Sequence, residues 1–111
     1  MNNVLNLSLI EGTVDNDPEM FYSESGQAIC KMIVIVNFKT KINGETHEEV
    51  TPITVNTWNR VAEAAYQYIK KGARIRVRGR LKMDKWTDKN GETKEKIYIE
   101  SQMLEFLSGG K

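Results

Sequence analysis

The sequence predicts an all-β-dominated fold, a five-stranded OB-fold barrel with one helix between strands 3 and 4. Five separate stretches are predicted strands: in three of them apolar residues alternate with a period of two, one is a continuous apolar run and one is rich in β-branched residues. One stretch, from Trp58 to Lys71, has the spacing of three and four residues that is typical of an amphipathic helix. This order of elements is that of the OB-fold, and a small α+β sandwich is the alternative.

The first two strands precede residue 40. The first is predicted within residues 4–11, where leucines alternate with polar residues. Residues 15–19 and 23–26 are rich in Asp, Asn, Ser, Pro and Gly, and each predicts a turn. Residues 29–38 include a continuous apolar run, which predicts a second strand buried on both faces.

The third strand is predicted from Val50 to Thr57, which is rich in β-branched residues. The Asn43-Gly44 pair before it favours a tight hairpin turn, because both residues tolerate positive φ. Pro52 cannot donate a hydrogen bond to the sheet, so this strand is expected to have an edge or a bulge there. Thr57 or Asn56 is expected to cap the helix that follows.

The fourth strand follows the helix, whose end is marked by Lys70, Lys71 and Gly72. From Ala73 to Leu81, apolar residues alternate with arginines, and an Asn-Gly pair at 90–91 predicts the next hairpin turn. The last strand is predicted from Lys94 to Leu107. Residues 1–107 are therefore predicted to form one domain, and residues 108–111 a short flexible stub.

Positive charge is concentrated in one part of the chain. The formal net charge is only +1, but between Lys70 and Lys96 eleven lysines and arginines stand against four acidic residues, a net charge of +7 that leaves −6 elsewhere. Such a distribution is expected of a protein that offers one face to phosphates. The alternative is a solvated hairpin whose lysines prevent aggregation.

The supply of chemically reactive residues is small. Cys30 and His47 are the only cysteine and histidine, so an intramolecular disulfide is excluded and a zinc site of Cys and His ligands has too few members. No glycine-rich phosphate loop or nucleophile motif is present. We expect no enzyme activity, cofactor or metal. The N-terminus does not resemble a signal peptide or a membrane span, which favours a cytoplasmic protein.

Three aromatic residues lie beside cations in predicted loops and strand ends: Phe38, Trp58 and Trp86. Aromatic rings stack on unpaired bases while neighbouring cations bind the backbone, so this combination indicates single-stranded nucleic acid. Trp58 could instead be a core residue at the start of the helix, whereas Trp86 lies in a strongly polar hairpin where burial is harder to arrange.

The arginines of the fourth strand also allow several interpretations. Arg74, Arg76, Arg78 and Arg80 alternate along one face and repel one another unless they meet an anion. That anion could be a phosphate, a carboxylate on a neighbouring strand or a partner subunit.

Motifs along nearly the whole chain resemble the bacterial single-stranded DNA-binding protein family. The most specific are Asp17-Pro18-Glu19, Lys71-Gly72 and Lys85-Trp86-Thr87-Asp88, at the separations typical of that family. The resemblance implies an OB-fold that assembles as a homotetramer, with a dimer possible, and that functions in DNA replication, recombination and repair near the nucleoid. It also implies that the N-terminal strand is an edge along which dimers form.

The resemblance further implies a set of DNA-binding residues. By position, Phe38, Trp58 and Trp86 correspond to stacking aromatics. The cations that correspond to contacts with the DNA backbone are Arg60, Lys71, Lys82 and Lys85.

Three features depart from the family pattern. Pro52 stands where the family commonly has a stacking Trp, and the arginines at 74, 76 and 78 lie on a face used for subunit packing. The chain also ends at Lys111, whereas the family usually continues to an acidic tip that recruits replication and repair enzymes. Either a tail is missing or the protein is a paralogue without one.

The leading hypothesis is sequence-tolerant binding and protection of single-stranded DNA. The alternatives are a tail-less primosomal replication paralogue of the same fold, and an OB-type module that binds an acidic protein partner and no nucleic acid.

Overall fold

The computed structural model describes residues 3–110, which contain six strands and one helix. The helix, α1, is Asn59–Tyr68. The strands are β1 (Ser8–Val14), β2 (Glu19–Tyr22), β3 (Ala28–Ile42), β4 (Glu45–Trp58), β5 (Arg74–Thr87) and β6 (Thr93–Ser108).

Five of these strands close into a barrel. Their order is β1-β5-β6-β4-β3, and β1 pairs again with β3 at Thr13 and Val14 to complete the circle. The helix lies between the third and fourth barrel strands, so the predicted five-stranded OB-fold is confirmed. The four-residue strand β2 pairs with β3 outside the barrel, between the two predicted turns. The sequence reading missed β2 because four residues are too few for a periodicity signal.

The first strand begins later than predicted, at Ser8 rather than near Val4. Before it, the side chain of Asn6 takes over the sheet contacts: its Nδ2 donates to the Leu81 carbonyl at 3.0 Å, and its Oδ1 accepts from the Leu81 amide at 2.9 Å. Leu5, Leu7 and Leu9 are all exposed. The alternation predicted a strand from residue 4, but residues 4–7 are not part of the sheet, and no strand of the described chain covers these leucines.

Two long hairpins extend from the barrel. The predicted turn of the first is confirmed, with positive φ at Asn43 and Gly44, and β3 and β4 both run further toward it than predicted. In the second, Oδ1 of Asp88 accepts from the amides of Asn90 and Glu92 and holds the tip. Since β4 and β6 are parallel where they meet, both hairpins point the same way and lengthen the molecule to 53 × 37 × 35 Å.

The helix is shorter than predicted. It ends at Tyr68, and Trp58 holds the capping position in an extended conformation with no side-chain cap. The predicted caps are wrong because Thr57 faces the interior, where its Oγ1 donates to the Cys30 carbonyl at 3.4 Å. Tyr68, the last residue of the helix, is exposed.

The core lies inside the barrel and under the helix. Its fully buried members include Met32, Val34, Val55, Ile75, Val77 and Ile99. Cys30 is also fully buried, and burial raises the pKa of its thiol to about 11. The thiol is therefore protonated at neutral pH and serves as a small apolar side chain.

Candidate nucleic-acid interface

The candidate interface is the outer face of the barrel across β3, β4, β6 and β5. Alternation along β5 turns Ile75 and Val77 inward and sends Arg80, Lys82 and Trp86 outward. Five cations of the basic segment share this outer face of β5, whereas Lys85 lies on the opposite face. They are Arg74, Arg76, Arg78, Arg80 and Lys82.

Four polar residues lie side by side across this face. Lys31 pairs in register with Asn56, Asn56 with Glu100, and Glu100 with Arg80. We call these four residues the polar row. With adjacent strands about 4.8 Å apart, the row crosses about 14 Å of the surface.

Glu100 is the anion at the centre of this row. Its Oε1 accepts from Nε and Nη2 of Arg80 at 3.0 and 2.9 Å, and its Oε2 accepts from Nζ of Lys82 at 3.3 Å. Burial by itself would raise the pKa of Glu100, but these charge-assisted hydrogen bonds outweigh that effect and lower it below the ordinary value. Glu100 is therefore ionised at neutral pH.

Trp86 lies near the tip of the β5–β6 hairpin, on the same side as Arg80 and Lys82. It is 47% exposed and stands in register with Lys94. Six residues of strand place it about 20 Å from Arg80. Lys85 falls on the opposite side of the hairpin, in register with Glu95, so adjacency in sequence does not bring it beside Trp86.

Trp58 borders the polar row at its other side, two residues beyond Asn56 on β4. The ring is partly buried, and its Nε1 is buried without a hydrogen-bond partner among the described residues, as is Oδ1 of Asn56. The row is thus flanked by Trp58 on one side and by Trp86 further away on the other.

Phe21 joins Trp58 on this face, which the sequence reading missed. It pairs with Ile29, and Ile29 pairs with Trp58, so the three side chains form a second row beside the first. Phe21 is 49% exposed. Alternation within residues 19–22 could have revealed it, had β2 been recognised.

Phe38 belongs to the other hairpin and to its inner side. It shares its face of β3 with the core residues Met32 and Val34, but lies beyond the barrel and is 62% exposed. β4 and β6 first pair at Val55 and Ile99. Glu49, the partner of Phe38, lies six residues before Val55, and Lys94, the partner of Trp86, lies five residues before Ile99. Both aromatics therefore stand about 17–20 Å along their hairpins, on different faces.

Arg60 and Lys71 lie apart from the polar row, at the two ends of the helix. Arg60 is exposed in the first turn of α1 and borders an apolar groove of about 680 Å³ that Tyr68 and Phe106 also line. Lys71 is exposed after α1, and its amide donates to Oδ1 of Asp17 at 3.1 Å.

The arginines of β5 meet carboxylates on neighbouring strands at two positions. Arg80 binds Glu100, as described, and Arg76 lies between Glu11 of β1 and Glu105 of β6. These carboxylates raise the pKa of Arg76 still further. For half of the arginine face, the carboxylate interpretation is therefore the correct one.

Two further features bear on the class of protein. Within residues 3–110, no three Asp, Glu, His or Cys side chains are grouped so that they could hold a metal ion. The helix of the described chain is too short and too polar to cross a membrane.

Comparison with known proteins agrees with this geometry. The profile described as the single-strand binding protein family matches residues 5–107. The chain belongs to this family.

Relatives of the single-strand binding protein family match nearly the whole chain. It is 36% identical over 104 residues to a single-stranded DNA-binding protein of Wolinella succinogenes, with 92% of this chain aligned but only 64% of that protein. A single-stranded DNA-binding protein 1 of Nostoc is 33% identical, with 93% and 83% aligned. The chain thus spans less than two thirds of the Wolinella relative.

Solved structures of single-stranded DNA-binding proteins share the fold. A deletion mutant of the Thermus aquaticus protein superimposes with a TM-score of 0.82 at 28% identity, over 95% of this chain and 51% of that one. A Plasmodium falciparum SSB, solved as a complex with ssDNA, superimposes with a TM-score of 0.86 at 22% identity, over 97% and 100%. At 22% identity, the similarity to the Plasmodium protein shows only that the two chains share a fold.

Pro52 lies in the middle of β4 in this member of the single-strand binding protein family. It is exposed and pairs with Ile35 of β3. Within the described residues, β4 pairs with β6 only at Val55 and Asn56. Pro52 therefore occupies a stretch of β4 with a partner on one side, which fits the predicted edge.

Proposed function

We propose that this chain binds single-stranded DNA with little sequence preference and without catalysis, in replication, recombination and repair. The observation that carries the proposal is the polar row, with its cations Lys31 and Arg80, set between the partly buried Trp58 and the exposed Trp86. Family membership and the names of the relatives support the same function.

Binding would combine stacking with phosphate neutralisation. Rings such as Trp86 accept any base, because every base has a flat aromatic face, and each stacked base contributes about 1–3 kcal/mol. The cations follow the sugar–phosphate backbone and carry no sequence information. We assign to this interface the stacking residues Phe38, Trp58 and Trp86 and the cations Arg60, Lys71, Lys82 and Lys85, and we add Phe21.

The separation of these residues favours a strand that wraps around the barrel. Trp86 and Phe38 occupy different hairpins, and Lys71 lies near the end of the helix. A straight strand would reach only some of them. A strand that crosses the polar row and continues around the molecule would reach more, at the cost of a longer binding site.

Assembly of copies is part of the proposal. The outer edge of β1 from Ser8 to Gly12 has no pairing partner among the described residues, and Leu5, Leu7 and Leu9 are exposed beside it. An unpaired apolar edge favours pairing with another chain. We propose a homo-oligomer, a dimer through this edge or a tetramer built from such dimers, in the cytoplasm.

The direct test is a titration with oligo-dT, followed by tryptophan fluorescence at several salt concentrations. We expect quenching, and an affinity whose logarithm falls with log salt by about 0.7 for each neutralised phosphate. Duplex DNA of the same length is the control and should bind more weakly.

Two outcomes would contradict the proposal. Absence of binding to oligo-dT at low salt would exclude single-stranded DNA as the ligand. Equal affinity for duplex and single strand would indicate a general polyanion binder, in which the aromatics have no role.

A further inference from the structure

Glu100 differs from the other carboxylates that neutralise β5. Its side chain is 16% exposed, whereas that of Glu105, which binds Arg76, is 50% exposed. Glu100 also occupies the centre of the candidate interface, while Glu105 lies about 13 Å further along the sheet, because its partner Arg76 is four residues along β5 from Arg80. Its position is therefore the one that a bound strand would cross.

Both charged partners of Glu100 are cations of the candidate interface. Arg80 directs two nitrogens at a single carboxylate oxygen, and Lys82 binds the other oxygen. Guanidinium groups bind phosphate oxygens with the same donors and at similar distances. The carboxylate thus occupies the donors that a phosphate would need.

We infer that Glu100 competes with backbone phosphates for Arg80 and Lys82, and so weakens the binding of single-stranded DNA. This inference rests on the proposed function and adds a residue that sets its strength. A phosphate that approaches Arg80 either meets the Glu100 carboxylate, which repels it, or displaces it. Displacement leaves a largely buried carboxylate without its partners, which is costly.

If Glu100 instead helped DNA to bind, its removal would change the affinity in the opposite direction. If Glu100 served to hold Arg80 and Lys82 in position for phosphates, its removal would disorder both cations and weaken binding. If it acted only through net charge, any carboxylate removed from β6 would have an equal effect. The direction of the change in affinity, and whether it is specific to Glu100, therefore separate the three roles.

The test compares Glu100→Gln with Glu105→Gln. Each variant removes one negative charge from β6 and one partner from an arginine of β5, so net charge is matched. We expect Glu100→Gln to bind oligo-dT about tenfold more tightly at about 0.15 M salt, with a salt slope steeper by about 0.7. Glu105→Gln should change affinity by less than about twofold, because surface charges this far away are screened.

Either unchanged or weaker binding by Glu100→Gln would overturn the inference, as would an equal gain in Glu105→Gln. Wild-type protein that fails to bind oligo-dT would instead overturn the proposed function. The two failures are therefore distinguishable within one set of titrations.

A second comparison applies if Glu100→Gln does not fold, which its thermal midpoint would reveal. In the otherwise unchanged protein, Lys82→Gln should cost less affinity than Lys96→Gln. Lys82 is already bound to Glu100. Lys96 is exposed on the same side of the hairpin, and within the described residues it forms no ion pair with Asp84, which lies opposite it. An equal or larger loss at Lys82 would overturn the inference.

Discussion

The two tryptophans differ in their exposure to solvent. Trp86 is 47% exposed among lysines, and its neighbours across the hairpin are polar. Trp58 ends β4, precedes the helix and is partly buried. The sequence reading left open whether Trp58 is a core residue or a stacking residue, and its partial burial is compatible with a structural role alongside binding. Trp86 is therefore the cleaner residue to test.

Trp86→Ala should weaken binding to oligo-dT by about 1–3 kcal/mol, which is the contribution of one stacked base. The thermal midpoint should change little, because the half-exposed ring lies near the tip of the hairpin and outside the hydrophobic core. Fluorescence anisotropy of a labelled oligonucleotide measures the first quantity, and circular dichroism on heating measures the second.

Tyr66→Ala is the matched control for Trp86→Ala. Tyr66 is 50% exposed, but it lies on α1 rather than on either hairpin. It should leave affinity unchanged. A collapse of the thermal midpoint in Trp86→Ala would instead identify Trp86 as part of the fold, and equal losses of affinity in both variants would argue against a specific stacking role.

At the scale of the strands, Gly79 allows β5 and β6 to come together. Here the register of the two strands shifts, from Arg78 opposite Met103 to Gly79 opposite Ser101. A Cβ atom at Gly79 would collide with the carbonyl oxygen of Glu100. That contact is with backbone and cannot be relieved by a side-chain rotation, so the bulge requires glycine.

Gly79→Ala should destabilise the barrel by about 1–3 kcal/mol or more, since the added methyl group forces strands apart. For a domain of this size, that corresponds to a midpoint lower by about 5–15 °C. Thermal unfolding followed by circular dichroism measures it. Because Glu100 and Arg80 lie at the same place, the variant should also alter DNA binding.

Gly26→Ala separates crowding from backbone strain. Gly26 has φ +86° with open space around it, so alanine there meets only the cost of the left-handed conformation, about 1–2 kcal/mol. A smaller loss of stability in Gly79→Ala than in Gly26→Ala would show that β5 and β6 can separate easily, and that their close approach does not require glycine at position 79.

For the whole molecule, the unpaired edge of β1 is where we expect copies of the chain to assemble. Its residues Ser8–Gly12 pair with β5 on one side, and the described chain offers them nothing on the other. The exposed Leu9 lies in the middle of this edge. A second copy that paired here would extend the sheet and cover the leucines.

We expect a mass above that of the 12.7 kDa monomer by light scattering, and a shift toward the monomer in Leu9→Lys. The matched control is Tyr22→Lys, at a similarly exposed residue on the other edge strand, β2. Monomeric wild-type protein would contradict the proposal. Dissociation by Tyr22→Lys alone would move the interface to β2.

Much of the fold follows from local signals in the sequence. The period-two alternation, the Asn43-Gly44 turn and the helix before Gly72 each depend on residues that are close along the chain, and these were predicted correctly. The errors lie at ends and short elements: β2 has four residues, and the start of β1 and the extent of α1 depend on what packs against them. Apolar periodicity does not report those contacts.

A five-stranded barrel, a basic segment and aromatics beside cations could be predicted from the sequence, because alternation, charge and turn chemistry are properties of consecutive residues. Three features became visible only in the fold: Glu100 binds Arg80 and Lys82, Lys85 faces away from Trp86, and Phe21 lies in the row of Trp58. The physical reason is register. Cross-strand neighbours are distant in sequence, and their pairing is fixed by closure of the whole barrel, including the bulge at Gly79.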